Sequence, residues 1–574
     1  MTLKEGGAAD SIYVNGKIIT VDAKDSVVEA LAIKGDKIVA VGSDVDIREL
    51  AGTSTEVVDL AGKTVLPGIN DSHAHAAMYG SSRPPLTLDL GFPMVKSIAD
   101  IKEAVRERAA AVKPGEWIRG NGWDYGYLAE YLTDRSRGIT RWDLDEVAPH
   151  NPVFLVDFSQ HRLVANSRAL EVAGITRDST IEPGSEIVKD PDTGEPTGML
   201  VELPAQGLLM RAVPPFNREE KRAAIISVLQ TMNARGITSL TDPALGPGGA
   251  AMQGGMLGPE SIGVYNDLRN EGSLSVRINV LYLFGNYGAL SLEDLEESLP
   301  TVGERSVLGD EWLKAGGVKL FADGIPQTKT AWMHEEYPDG GNGSLVVPGA
   351  TEQERHDHLA GMILFAHRHG FQCGIHAVGD RAIRSCVDGF LKAQEQDSQR
   401  LRHYLIHCDM IADSDIDRIA ANGIGVSAQS ILKWVFSDDI DTVLGIERSE
   451  RQFPLRSLLD AGVHLSLSSD APVTAPDWLR GVEAAVLRKS KASGTVRGPR
   501  QRITVQEGIR AYTMGSAWLD HMEERKGSLE RGKLADFCVL DQDILSIPAE
   551  DIHAITNVGT VVGGKVVYDA GLRR

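Results

Sequence analysis

The chain predicts an α/β fold: a (β/α)8 TIM barrel with an inserted cap and a small β-sandwich domain built from both chain ends. Three observations lead there. Both ends have β texture, the middle alternates short apolar runs with helical stretches, and one interval between two such runs is far longer than a crossover needs. At 574 residues the chain also exceeds what one small core organises, so a large domain with a smaller companion is expected.

At the amino end, "SIYVNGKIITVD" (11–22) and "EALAIKGDKIVAVG" (29–42) are β-rich runs broken at Asn-Gly and Gly-Asp, which are hairpin-turn residues. At the carboxyl end, "GKLADFCVLD" (532–541) and "ITNVGTVVGGKVVYD" (555–569) repeat that texture. A few strands cannot close a core alone. The two ends are therefore expected to meet, residues 1–66 with 516–574, around a barrel domain of 67–515.

Between them lie eight candidate strands: 64–71, 236–242, 276–284, 317–323, 372–379, 403–409, 424–430 and 464–470. Helical stretches such as 352–369 and 381–397 separate them, the first stopped by Gly370. Eight strands with intervening helices predict a barrel, with a doubly wound open sheet as the alternative. The rhythm breaks between His75 and Gly236. That interval has helices of its own (100–112, 217–235), a β-like "NPVFLVDFS" and the aromatic "GEWIRGNGWDYGYLAEY", and reads as a cap spanning residues 80–230. The glycine-rich stretch 246–258 reads as a mobile loop.

A composition of 42% hydrophobic and 24% charged residues is that of a globular protein, and the net charge of -21 argues against nucleic acid or an anionic membrane as partner. "MTLKEGGAADSIYVNGK" lacks a signal-peptide core, and no run approaches the roughly 18 apolar residues a membrane span needs. Four cysteines without CxxC spacing indicate neither a disulfide framework nor a thiolate metal site. The expectation is a cytoplasmic chain with reduced thiols, with a homodimer as the prior assembly.

In "LPGINDSHAHAAMYG" (66–80), His73 and His75 stand two apart beside Asp71. On a strand that spacing aims both imidazoles at one face. Fifteen histidines in the chain make an accident a fair reading of this pair alone. His376 and His407 then appear late in "QCGIHAVG" and "HYLIHCD", and Asp470 closes "HLSLSSD". Each is a polar residue ending an apolar run, which is either a hydrogen-bonded core group or a ligand carried to the barrel mouth. Four imidazoles and a carboxylate suit a divalent ion such as Zn²⁺. Lys319, in "GGVKLFADG", cannot ligate as an ammonium. It either pairs with Asp323 or, neutralised, takes up CO₂ to give a carbamate able to bridge two cations.

"PGINDSHAH", "GGVKLFADG", "GIHAVGDRA", "LIHCDM" and "LSSDAPV", in this order, resemble the amidohydrolase superfamily, and within it the YtcJ-like branch that includes N-substituted formamide deformylases. "GSLERGKLADFCVLD" is similar to the segment by which such chains return to their sandwich. The resemblance implies that His73, His75 and Asp470 hold the more buried metal and that His376 and His407 hold a second. It implies an N6-carboxylated Lys319 between the two, with Asp470 also taking the water proton. Two positions depart from the branch pattern: Ile325-Pro326-Gln327-Thr328 where a small-residue turn is usual, and Ile406 where glutamate is common.

His161, in "DFSQHRLVANSRAL", resembles a branch motif and is a candidate electrophilic donor to the substrate carbonyl. Trp123 is a candidate substrate contact within an aromatic set (Trp117, Tyr125, Tyr127, Tyr131) that forms either the cap's own core or a wall over the substrate. Asp323 and Arg381 are candidate substrate contacts or ordinary ion pairs. A divalent ion lowers the pKa of bound water from 15.7 to roughly 7. Asp470, expected near the ordinary carboxylate pKa of about 3.9, would accept the water proton and pass it to the leaving nitrogen. The expected activity is metal-dependent hydrolysis of a C–N bond in a small amide substrate, such as an N-substituted formamide or N-acyl amine. Alternatives are a superfamily hydrolase or deaminase acting on a cyclic amide, carbamate or ester, and a non-catalytic barrel with a structural or regulatory role.

Overall fold

Eight parallel strands form the central sheet: Ile69–Asp71, Ile237–Leu245, Arg277–Tyr282, Leu313–Phe321, Gln372–Ala377, Tyr404–His407, Gly425–Ala428 and His464–Leu467. The structure is a computed structural model that describes residues 7–181, 185–246, 261–284, 291–302 and 310–573. Each strand neighbours the next in chain order, without the reversal a doubly wound sheet requires. The seam between the last and first strands is closed by side chains and by the loops that leave them. The Ser72 hydroxyl lies 2.8 Å from that of Ser466, and the Ser469 N–H donates to Asp71 at 3.0 Å. The Asp470 N–H donates to the His73 carbonyl and the His75 N–H to the Ala471 carbonyl, each at 2.8 Å. Asp470 is therefore stitched directly onto the HxH segment.

The run 64–71 divides between two sheets. Thr64–Pro67 pairs with Phe537–Leu540 and with Lys17–Ile19, and only Ile69–Asp71 enters the barrel. Gly68 makes the passage, and a Cβ there would come within 2.0 Å of the Thr238 hydroxyl. The six-stranded sandwich sheet thus mixes both chain ends, and it packs on a four-stranded sheet from the amino end around Tyr13, Ile33, Val65, Phe537 and Val561. A buried ion pair, Arg277 to Asp536 at 2.6 Å, fastens barrel to sandwich.

Barrel helices carry the expected punctuation. Glu352–Arg368 starts with a Thr351/Glu354 capping box, and the chain leaves it through Gly370 at φ +77°. The cap is a six-stranded sheet from Leu88–Asp89 to Pro196–Val201 with two hydrophobic clusters of its own. Helix Arg218–Ala234 corrects the cap range of 80–230, because it buries Ile225, Val228 and Leu229 in the barrel core. Its apolar stripe continues the barrel's helical layer instead of covering the mouth. Apart from Gly246, the glycine-rich 246–258 lies outside the described residues. No helix among the described residues is long and apolar enough to cross a membrane, and the four cysteines are free and buried.

The amino-terminal ends of the strands are plugged by the segment after helix Ser516–Leu519. Asp520 accepts there from Asn70 (2.8 Å), Thr241 (3.1 Å), Asn279 (3.2 Å) and Lys526 (2.6 Å). Above it, Leu519 packs with Leu281, Tyr404 and Ile406. Ile406, the departure noted beside His407, is thus interior barrel packing.

Candidate active site

The carboxyl ends of the strands gather the residues singled out in the sequence. His73 Nε2 lies 3.3 Å from Asp470 Oδ1, and His75 Nε2 lies 3.6 Å from the same oxygen. The ring centroids of His73 and His407 are 5.6 Å apart, and those of His376 and His407 are 4.5 Å apart. His407 owes its direction to the backbone. It follows Ile406, which faces the interior, so strict alternation would send it outward. A φ of +74° at His407, and +56° at Cys408, turns the imidazole toward His376. Asp470, at φ +57°, is held in the same left-handed region. Such strain gathers where a site requires it.

One ligand atom each from His73, His407 and Asp470 falls within 4.8 Å of the others. His73 is buried, yet neither ring nitrogen has a hydrogen-bond partner. Buried polar atoms are rarely left in this state, and a cation between them and the carboxylate would satisfy them. His75 Nδ1 sits 3.2 Å from the Pro243 carbonyl, which directs Nε2 to the cluster. Burial, reinforced by Lys319 and the neighbouring imidazoles, holds His73 well below the ordinary histidine range, and His75 falls to about 3. Both therefore present neutral lone pairs at neutral pH. The donor set fits a divalent cation.

Lys319 is buried against the Phe321 ring, its Nζ 4.8 Å from the ring centroid. Burial pulls its pKa down, and the Asp470 carboxylate opposes that pull. The pairing with Asp323 is not made: Asp323 accepts backbone N–H groups from Trp332 (2.8 Å), Val378 (3.0 Å) and Gly379 (2.9 Å). Asp470 departs from its expected ordinary pKa, because burial raises it and Lys319 and His161 only partly restrain the rise. A cation seated beside it would favour the carboxylate.

A cavity of about 120 Å³ opens above the cluster, with Met78, Leu283, Phe321, Leu432 and Phe436 as apolar wall. His161 reaches it from the cap, its ring 5.9 Å from that of His376. Its Nδ1 donates to Glu202 at 2.6 Å. Burial disfavours the imidazolium, but the Glu202 carboxylate outweighs it and raises the pKa. Glu202, at φ +68°, also accepts from the Thr328 and Thr330 hydroxyls, each at 2.7 Å. The departing turn 325–328 therefore belongs to the site: Ile325, Pro326 and Gln327 line the cavity, and Thr328 steadies the partner of His161. Glu202 was not singled out in the sequence, although it ends the apolar run "GMLVE" as the ligands end theirs. Asp409 and Gln452 were also missed as lining residues.

None of the other three candidate substrate contacts lines this cavity. Trp123 is fully buried in the cap's own core, donates Nε1–H to the Leu155 carbonyl at 3.1 Å and packs edge-on to Tyr125. Tyr125 stacks on Tyr131, and Tyr127 stacks on Phe92, so these aromatics are cap packing. Arg381 stacks over Trp332 and pairs with Glu352 at 2.7 Å on the surface. Asp323 has both oxygens committed to backbone and orders the loops after two strands.

The amidohydrolase family profile matches residues 56–568. An N-substituted formamide deformylase from Arthrobacter pascens is 29% identical over 98% of this chain and 98% of its own length. A putative amidohydrolase, YtcJ, from Bacillus subtilis is 30% identical over 97% of this chain and 99% of its own. Among solved structures, an uncharacterised metal-dependent hydrolase from Pyrococcus horikoshii superposes with a TM-score of 0.71 at 24% identity, covering 94% of this chain and 99% of that one. The chain belongs to the amidohydrolase family and is a metal-dependent hydrolase.

Proposed function

We propose that the protein hydrolyses the C–N bond of a small N-acyl amine, an N-substituted formamide first, with zinc as resident metal and Lys319 carboxylated. The observation that carries this reading is the convergence of His73, His75, His376, His407, Asp470 and Lys319 on one small, apolar-walled cavity. The full-length similarity to a formamide deformylase supports the choice of acyl group. His73, His75 and Asp470 would hold one cation, His376 and His407 a second, and the carbamate oxygens of Lys319 would lie between them. When bound, the cations supply Lewis acidity to the scissile carbonyl and acidify water.

The chain's own groups do the rest. Asp470 accepts the proton of the attacking water and delivers it to the leaving nitrogen, since an amide anion leaves very poorly. His161, whose imidazolium form Glu202 favours, donates its Nε2–H to the carbonyl oxygen as negative charge grows there. The apolar wall excludes bulk water and strengthens both interactions. Asp470→Asn is expected to lower kcat by about 10²–10⁴-fold even where metal is retained; unchanged turnover contradicts its role as base. A panel of formamides, acetamides, N-acyl amino acids, lactams and esters on zinc-loaded enzyme tests the substrate. Formate release from N-substituted formamides should dominate, and turnover of lactams or esters alone would refute the reading.

A further inference from the structure

Asp409 is a carboxylate with half of its hydrogen bonding unspent. It is buried, 6% exposed, and lines the cavity beside Leu432, Phe436 and Gln452. Its Oδ2 accepts from Gln452 Nε2 at 2.9 Å. Gln452 cannot flip away, because its Oε1 faces Lys433 Nζ at 3.3 Å, and that ammonium also donates to the Ser449 carbonyl at 2.7 Å. The Asp409 carbonyl is pinned by the Phe453 N–H at 2.8 Å, directly after the left-handed turn at His407 and Cys408. The carboxylate is thus held through Oδ2 on a fixed amide and an anchored backbone, yet Oδ1 has no partner. Nor does Asp409 belong to the converging set of His73, His407 and Asp470.

The charge around the cavity is one-sided. No arginine lines it among the described residues, and its one lysine, Lys319, sits in the cluster facing Asp470. A substrate carboxylate would find no unpaired cation among the wall's side chains, since His161 is held by Glu202 and Lys319 faces Asp470. A nitrogen carrying hydrogen would find Oδ1, with Leu432 and Phe436 flanking the methylene chain that leads to it. Charge-assisted N–H···O⁻ bonds are the strong ones, and they strengthen further in a low-dielectric site.

We propose that Asp409 is a recognition subsite for an ammonium group on the substrate, so that the preferred amide is the mono-N-acyl derivative of a short diamine. The proposal rests on the amide-hydrolase reading above for its acyl half, and on Asp409 alone for its amine half.

Three formamides of equal length test it: N-formyl-1,4-diaminobutane, N-formylpentylamine and 5-formamidopentanoate. In the wild type, kcat/KM should fall in the order cation, neutral, anion, with roughly 10- to 100-fold between the first two. Asp409→Asn should bring the cation-to-neutral ratio to about one without loss of metal. A wild type with no cation preference, a variant that keeps the ratio, or a variant that loses a metal equivalent each overturns the proposal. If no formamide is hydrolysed, the amide reading fails and the subsite is judged by binding. Ligand-observed NMR should then show saturation transfer to butylammonium but not butyrate, lost in Asp409→Asn. Equal transfer in wild type and variant would refute the subsite.

Discussion

At the floor of the barrel Asp520 is buried among four donors, including the Lys526 ammonium 2.6 Å away. Burial opposes its charge, but Lys526 and Lys314 outweigh it and hold the carboxylate below its ordinary range. At the mouth His73 is equally buried, has neither nitrogen hydrogen-bonded, and is driven to its neutral form by burial and by Lys319. The two ends share strands, and differ in that the Asp520 carboxylate finds its donors within the chain while the His73 nitrogens find no hydrogen-bond partner. A buried carboxylate met by four donors is architecture. An unsatisfied cluster, built from imidazoles and a carboxylate, is a receptor for a cation.

That contrast can be broken at either end. The largest effect belongs to the mouth: Lys319→Ala should reduce kcat by more than the 10²–10⁴-fold typical of losing one proton-transfer group, because a bridging ligand leaves with it. Short carboxylic acids should restore part of the activity by standing in for the carbamate. Full activity without them would show that Lys319 bridges nothing.

At the floor, Asp520→Asn strands the Lys526 ammonium and should cost about 3–5 kcal/mol of stability at neutral pH. Asp520 has a depressed pKa, so its contribution is present above the ordinary carboxylate value of about 3.9 and is lost as pH falls through the lower folded value. The gap in melting temperature between wild type and variant should therefore close in acid. A gap independent of pH would mean that packing, not charge, is what Asp520 supplies.

Glu202→Gln is the smallest of the three, expected below the roughly 10²–10³-fold of deleting a transition-state donor outright, since His161 remains. His161 is charged below its raised pKa, and activity should decline as pH rises through it. Removing the carboxylate lowers that pKa and moves the alkaline limb of kcat/KM to lower pH. An unmoved limb would separate Glu202 from the chemistry.

Much of the barrel was legible, because each strand is an apolar run and His376, His407 and Asp470 interrupt such runs where burial penalises them. The HxH spacing has the period of a strand, but the strand ends at Asp71, and His73 and His75 lie in the turn that leads to the helix Ala76–Ser81. The side-chain direction of Trp123 was not legible, since an aromatic-rich segment packs equally well inward or over a ligand. The Glu202–His161 pair joins cap elements 41 residues apart, and Asp409 is aimed by left-handed backbone at His407 and Cys408 that no residue type there announces. The helix Arg218–Ala234 was assigned to the cap because nothing in its own periodicity names the surface it covers.

Metal analysis of the purified protein and of His73→Ala tests the contrast most directly. One to two equivalents of divalent metal should accompany the wild type, with zinc supporting turnover, and at least one equivalent should be lost from the variant. A wild type that binds no stoichiometric metal under saturating zinc, or a variant that keeps its full complement, would contradict a metal centre at the barrel mouth.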